Sequence, residues 1–94
     1  MDVEAVVAVL ERGWTKGTMA RDAAGHPCNP RSDSAVCWCL LGAIERVYKV
    51  MPHSMPAVRN LNAKWAGVAR FNDAQPTLES LVAMFRRAFP NAQS

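Results

Sequence analysis

The sequence predicts a mainly α domain, with about four helices around a central buried helix and a small β-hairpin or loop insertion between the first two. Three observations carry this. The run Ala35-Val36-Cys37-Trp38-Cys39-Leu40-Leu41-Gly42-Ala43-Ile44 holds no charge, and a helix uncharged all round must be wrapped by protein. Apolar residues recur at helical spacing near both ends of the chain. Between the first of these stripes and the uncharged run lies a segment containing Gly, Pro and Asp, Gly13 to Arg31, which is a poor helix former.

The first helix follows Asp2, whose carboxylate can cap it, and Val3, Val6, Val7 and Leu10 form its inner stripe. Glu4 complements its positive end, and Gly13 marks its exit. Asp22-Ala23-Ala24-Gly25 reads as a turn joining Thr18–Arg21 to His26–Cys28, with Gly25 supplying positive φ. Pro27 restricts the second arm to a sheet edge, and Pro30 redirects the chain. Ser32-Asp33-Ser34 then caps a central helix expected over 35–50, stopped by Pro52, with Val36, Leu40, Ile44, Val47 and Met51 as its stripe. Gly42 and Ala43 would let another backbone approach it closely.

Pro56 suits the first turn of a third helix, with Ser54 or Met55 near its cap. Val58, Leu61 and Trp65 face inward there, Gly67 closes it, and Val68 to Phe71 is expected to be short and extended. Thr77 caps the last helix after Pro76; Leu78, Leu81, Val82, Phe85 and Phe89 share one face, and Pro90 ends it. The whole of 1–94 reads as a single domain, with 13–34 as an insertion within it.

Composition narrows the function classes. Half of the 94 residues are apolar, and the longest uncharged run falls short of the about 20 residues needed to span a bilayer. Met1-Asp2-Val3-Glu4 is acidic where a secretory signal is basic. Three cysteines form a poor disulfide framework, so a cytoplasmic protein is expected. The net charge of +3 comes from eleven scattered basic residues against eight acidic ones. That balance favours an acidic partner through electrostatic steering, and the lack of aromatic-basic alternation makes nucleic acid a weaker candidate.

The pattern Gly13-Trp14-x-x-Gly17-x-x-Ala20-x-Asp22-x-x-Gly25, then Ala35-x-x-Trp38-Cys39-x-x-Gly42-Ala43, then an aromatic residue with Asn72-Asp73, resembles a small family of bacterial and phage proteins of unknown function. The likeness spans roughly residues 3 to 89, and Phe71 stands where that family usually has Trp. It implies a fold boundary and carries no activity with it.

Candidate chemistries follow from the side chains. Cys37, at the third position of a helix capped by Ser34, would have its thiol pKa lowered by the helix dipole. With His26 or His53 as base and Asn72 as orienter it would make a cysteine hydrolase, but no nucleophile signature surrounds either thiol, and buried cysteine acting as a small hydrophobe is the better reading. His26, Cys28, Cys37 and Cys39 hold metal-donor atoms, but residues two apart on a helix diverge by about 160°, which disfavours chelation by Cys37 with Cys39. No phosphate loop, dinucleotide fingerprint or H-E-x-x-H pair occurs, and the sequence names neither a catalytic residue, a metal nor a cofactor.

Asn72-Asp73 admits two readings. Asn72 braces the hairpin loop while Asp73 orders the turn into the last helix, or both join Lys16 and Arg21 in a polar pocket walled by Trp14. The expected function is a non-catalytic, stoichiometric binding protein acting on a protein partner with an acidic surface. Trp14, Lys16, Arg21, Arg31, Arg70, Asn72 and Asp73 are its contact residues. A phage origin would make a host defence or regulatory complex the target. A small nucleotide held by Lys16, Arg21 and a helix start near Ser34 is the alternative.

Overall fold

The computed structural model describes residues 1–90. Among them the chain forms α1 (Val3–Arg12), β1 (Ala20–Asp22), β2 (Ala35–Trp38), α2 (Leu40–Tyr48), a 3₁₀ turn (Pro52–Ser54), α3 (Pro56–Lys64), α4 (Val68–Ala74) and α5 (Leu78–Ala88). The fold is mainly α, and the two antiparallel strands lie between α1 and α2. No helix among the described residues is long and apolar enough to cross a membrane.

Both ends of the bundle follow the sequence closely. The Asp2 carboxylate accepts from the Ala5 amide at 3.1 Å, and Thr77 Oγ1 accepts from the Ser80 amide at 3.1 Å. Each side chain satisfies one of the amides that a helix start leaves unpaired. Val3, Val6, Val7 and Leu10 of α1 and Leu81, Val82 and Phe85 of α5 are buried, as their spacing requires. Arg86 of α5 grips both carboxylate oxygens of Glu4, at 2.6 and 2.8 Å, which holds that carboxyl below its ordinary pKa.

Three expectations are corrected. The segment Ala35–Trp38 is a strand, not the start of the central helix. Ala35 and Trp38 are inside, Val36 is 45% exposed and Cys37 half-buried; the irregularity that skips Val36 lets two positions three apart face the core, which hides the β period in an uncharged run. The helix begins five residues later than expected, at Leu40, and ends at Tyr48; its cap is Cys39, whose Sγ accepts from the Gly42 amide at 3.4 Å, rather than Ser34. Met51 accordingly lies on an exposed loop, 63% accessible, instead of on the helix stripe. The buried character of the helix survives: Leu40 through Glu45 are all inside.

Second, β1 takes β2 as its ladder partner, in the register Ala20↔Trp38, Arg21↔Cys37 and Asp22↔Ala35, which skips Val36. The expected arm His26–Cys28 does pair with β1, through one antiparallel bridge, Arg21↔Pro27, flanked by bonds from Asp22 N to His26 O at 2.9 Å and from Cys28 N to Ala20 O at 3.0 Å, but it forms no longer ladder. The turn itself is as read: Asp22 Oδ1 accepts from the Ala24 and His26 amides, and Gly25 has φ +84°. Third, residues 68–71 are helical, within α4, so the described residues hold five α-helices rather than four. Gly67 closes α3 as expected, its amide bonding Asn62 O at 2.8 Å after Ala66 turns left-handed at φ +55°, and it also precedes α4, whose first amide, Val68 N, bonds Asn62 Oδ1 at 2.9 Å. A side chain from α3 thus supplies the cap that the local sequence lacks.

The core gathers Leu10 and Val6 of α1, Trp38 of β2, Leu40 and Ile44 of α2, Val58 and Leu61 of α3, Val68 of α4 and Phe85 of α5. Trp38 is fully enclosed, donates Nε1 to Pro30 O at 3.0 Å, and has the guanidiniums of Arg12 and Arg46 within 5.0 and 5.3 Å of its ring centre.

Candidate functional site

The loop after α1 runs back along β2 before entering β1. Trp38 donates its amide to Gly13 O and accepts from Thr15 N, both at 3.0 Å, so residues 13–15 lie beside β2 as a further strand-like segment. A Cβ on Gly13 would stand 2.2 Å from Val36 O, so glycine is what permits this approach. The register carries Trp14, Thr15, Lys16 and Gly17 over the start of α2 and the inner face of α4.

Asn72 fills that junction. It is fully buried and uses both ends of its amide. Oδ1 accepts from Trp14 Nε1 at 2.8 Å and from the Leu40 amide at 3.1 Å; Nδ2 donates to Thr15 O at 3.1 Å and to Asp73 Oδ1 at 3.0 Å. The first amide of α2 is thereby capped from α4. Asp73 Oδ1 also accepts from Gly17 N at 3.1 Å. Asp73 therefore orders the loop after α1, whereas the turn toward α5 closes through Gln75 N and Asn72 O.

The two cations expected here are held by the same framework. Lys16 Nζ donates to Gln75 O at 2.6 Å and lies 5.1 Å from the centre of the Trp14 ring. Arg21 donates to Thr15 Oγ1, Gly25 O and Lys16 O at 3.0 to 3.1 Å, tying the hairpin turn to the loop. The structure thus brings together Trp14, Lys16, Arg21, Asn72 and Asp73: Trp14 and Asp73 bond the Asn72 side chain, Arg21 bonds Lys16 O, and the remaining bonds run to neighbouring loop and helix-end residues. Arg31 and Arg70 stand apart from them. Arg31 meets Glu45 Oε2 at 2.9 Å, and Arg70 is exposed on α4 with no hydrogen-bond or ion-pair partner among the described residues.

The thiols are placed differently from the sequence expectation. Cys37 lies on β2 rather than in the first turn of a helix, and Cys39 caps α2 from a buried site. Burial pushes the Cys39 thiol above its ordinary value of 9.0, and the Asp73 charge adds to this against amide bonds from Gly42 and Leu41. A raised pKa keeps the sulfur protonated at neutral pH, which is the wrong direction for a nucleophile. Neither histidine hydrogen-bonds a thiol among the described residues, and no three His, Cys, Asp or Glu side chains gather there as a metal set. With iodoacetamide on the folded protein, Cys39 is expected to label only as the chain opens, and more slowly than the half-buried Cys37. Rapid native-state labelling of Cys39, read by peptide mass spectrometry, would contradict this placement.

Two groups of residues escaped the sequence reading. Trp65 and Phe71 stack with ring centres 4.1 Å apart and planes 22° apart, beside Ala66, Arg70 and Ala74 around a depression of about 200 Å³. Arg46 and Lys49 line a second cleft with Arg31 and Asp33. Only three-residue spacing on the C-terminal turn of α2 connects Arg46 with Lys49 in sequence, and nothing local links Trp65 to Phe71.

No curated protein and no solved structure matches the sequence. The family model described as "Family of unknown function (DUF6197)" matches residues 2–89, nearly all of the described chain, and the protein belongs to that family.

Proposed function

We propose that this protein is a non-catalytic binding protein that docks stoichiometrically on a protein partner through the corner formed by Trp65, Arg70 and Phe71. The observation that carries the reading is the state of Arg70. Lys16, Arg21 and Arg31 place donors on acceptors of their own chain, whereas Arg70 is exposed, with no partner among the described residues, beside a half-buried aromatic stack. Arginine and tryptophan are the side chains that most often dominate interface energies, because each combines a large contact area with directed hydrogen bonds.

Charge supports an acidic partner. Glu4 is taken by Arg86, Glu45 is buried against Arg31, and Asp22 and Asp73 accept backbone amides. The net charge of +3 is thus presented with several of the eight acidic side chains already engaged. Resemblance to phage-borne proteins makes a cytoplasmic host defence or regulatory complex the partner class to test. Once a stoichiometric partner has been isolated from host lysate, Arg70→Glu is expected to weaken its binding roughly 10-fold or more, and Trp65→Ala comparably. Both changes are read by calorimetry on folded protein. A complex indifferent to both substitutions overturns the assignment of this corner.

A further inference from the structure

A cleft of about 310 Å³ is lined by Arg31, Asp33, Arg46 and Lys49 and shares no residue with the aromatic corner. Two of its guanidiniums are fixed in place. Arg31 donates Nε to the buried carboxylate of Glu45 at 2.9 Å and Nη1 to Lys49 O at 3.1 Å. Arg46 donates Nη1 to Pro30 O at 3.1 Å and to Ser32 O at 2.7 Å, and its guanidinium carbon lies 5.3 Å from the centre of the Trp38 ring. These anchors leave Nη2 of Arg31, and Nε and Nη2 of Arg46, without acceptors among the described residues. The Nζ of exposed Lys49 has none either.

We propose that this cleft binds a phosphate-bearing small ligand. Three cations converge there against two carboxylates, Asp33 in the lining and Glu45 beneath Arg31, so the cleft retains positive charge. Like charges held this close repel one another, and a bound anion relieves that repulsion. Guanidinium forks match the oxygens of a phosphoryl group. Because Glu45 and the loop carbonyls already lock both forks, the ligand need not immobilise them, which lowers the entropy cost of binding. The volume exceeds what a lone carboxylate fills and falls at the lower end of small-ligand sites, roughly 300–1,000 Å³. Asp33 and the negative C-terminal end of α2 oppose an anion, which limits the affinity and supplies a test of sign.

Inorganic pyrophosphate is titrated into the isotope-labelled full chain at constant ionic strength, following the Nε–Hε resonances of Arg31 and Arg46. Saturable shifts of both are expected. Lys49→Gln should weaken binding roughly 5-fold, and Asp33→Asn should tighten it roughly 2-fold or more. Arg87→Gln, an exposed charge on α5, should leave it unchanged. All three positions are exposed, and the same spectra report that the variants are folded. Shifts that grow linearly without saturating overturn the proposal. So does equal binding by Lys49→Gln and Asp33→Asn, or a loss in Arg87→Gln as large as in Lys49→Gln. Acetate saturating the same resonances at the same concentrations overturns the choice of phosphate.

Discussion

Replacing Asn72 by alanine is expected to destabilise the protein by about 3 kcal/mol or more, a large part of the roughly 5–15 kcal/mol that holds a domain folded. Removing the carboxamide from a fully enclosed site leaves a small cavity, which adds to the polar loss. It strands Trp14 Nε1, the Leu40 amide and Thr15 O, of which the Leu40 amide is fully buried. Each orphaned buried group costs about 1–3 kcal/mol, because it has left water without finding a replacement partner. Asn72→Asp separates the two halves of the amide. It keeps the acceptor for Trp14 and Leu40 but loses the donor to Thr15 O and sets a second carboxylate against Asp73, so it should rescue little. Asp73→Ala, at an exposed position, should cost only about 1 kcal/mol. Urea midpoints at unchanged slope measure all three, and an Asn72→Ala cost below that of Asp73→Ala would show that the network is dispensable.

Gly42→Ala is expected to be the most damaging one-carbon addition in the chain. Alanine normally improves a helix by about 1 kcal/mol over glycine. Here the added Cβ would fall 1.9 Å from Met19 O and 2.8 Å from Met19 C, both backbone atoms with no rotamer to turn aside. That oxygen also accepts from Cys39 N at 3.1 Å, so moving it breaks the bond that joins the entry of β1 to the cap of α2. Overpacking against flexible side chains costs about 1–3 kcal/mol, and rigid backbone places this site at or beyond the upper end. The net loss, near 2 kcal/mol after the helix gain, should appear as a lower thermal midpoint. Gly25→Ala is the contrast: it meets nothing within 4 Å, so only its φ of +84° is penalised, at about 1 kcal/mol. Equal effects at the two glycines would mean that the sheet yields freely at Met19.

What the sequence reveals is governed by how locally each signal is written. α1 and α5 carry their own caps and an uninterrupted apolar stripe, so Asp2, Thr77 and the period of 3.6 suffice to place them. The Asp22–Gly25 turn is likewise self-contained. Gly42 could be read as a close-approach position, although not what approaches it. By contrast, the uncharged run merges a strand and a helix start, because Ala35–Trp38 and Leu40–Ile44 both lack charge and lack of charge does not report periodicity. α4 depends on Asn62 for its cap, and a seven-residue helix has too few turns to display a stripe. The junction at Asn72 was legible as a polar knot. Its partners were not, since Trp14 and Thr15 lie 58 and 57 positions away.

Those separations bear on how the protein is made. A growing chain that has left the ribosome only as far as α3 already contains α1, both strands and α2, but not the amide that caps Leu40 and holds residues 14 and 15 in place. Nor does it contain Arg86, which ties the last helix to Glu4 across 82 positions. The N-terminal half must therefore wait, incompletely paired and with part of its core uncovered, until α4 and α5 emerge. Synthesis at roughly 5–20 residues per second makes that wait a matter of seconds. During translation this small domain passes through a chaperone-accessible interval set by the position of one asparagine.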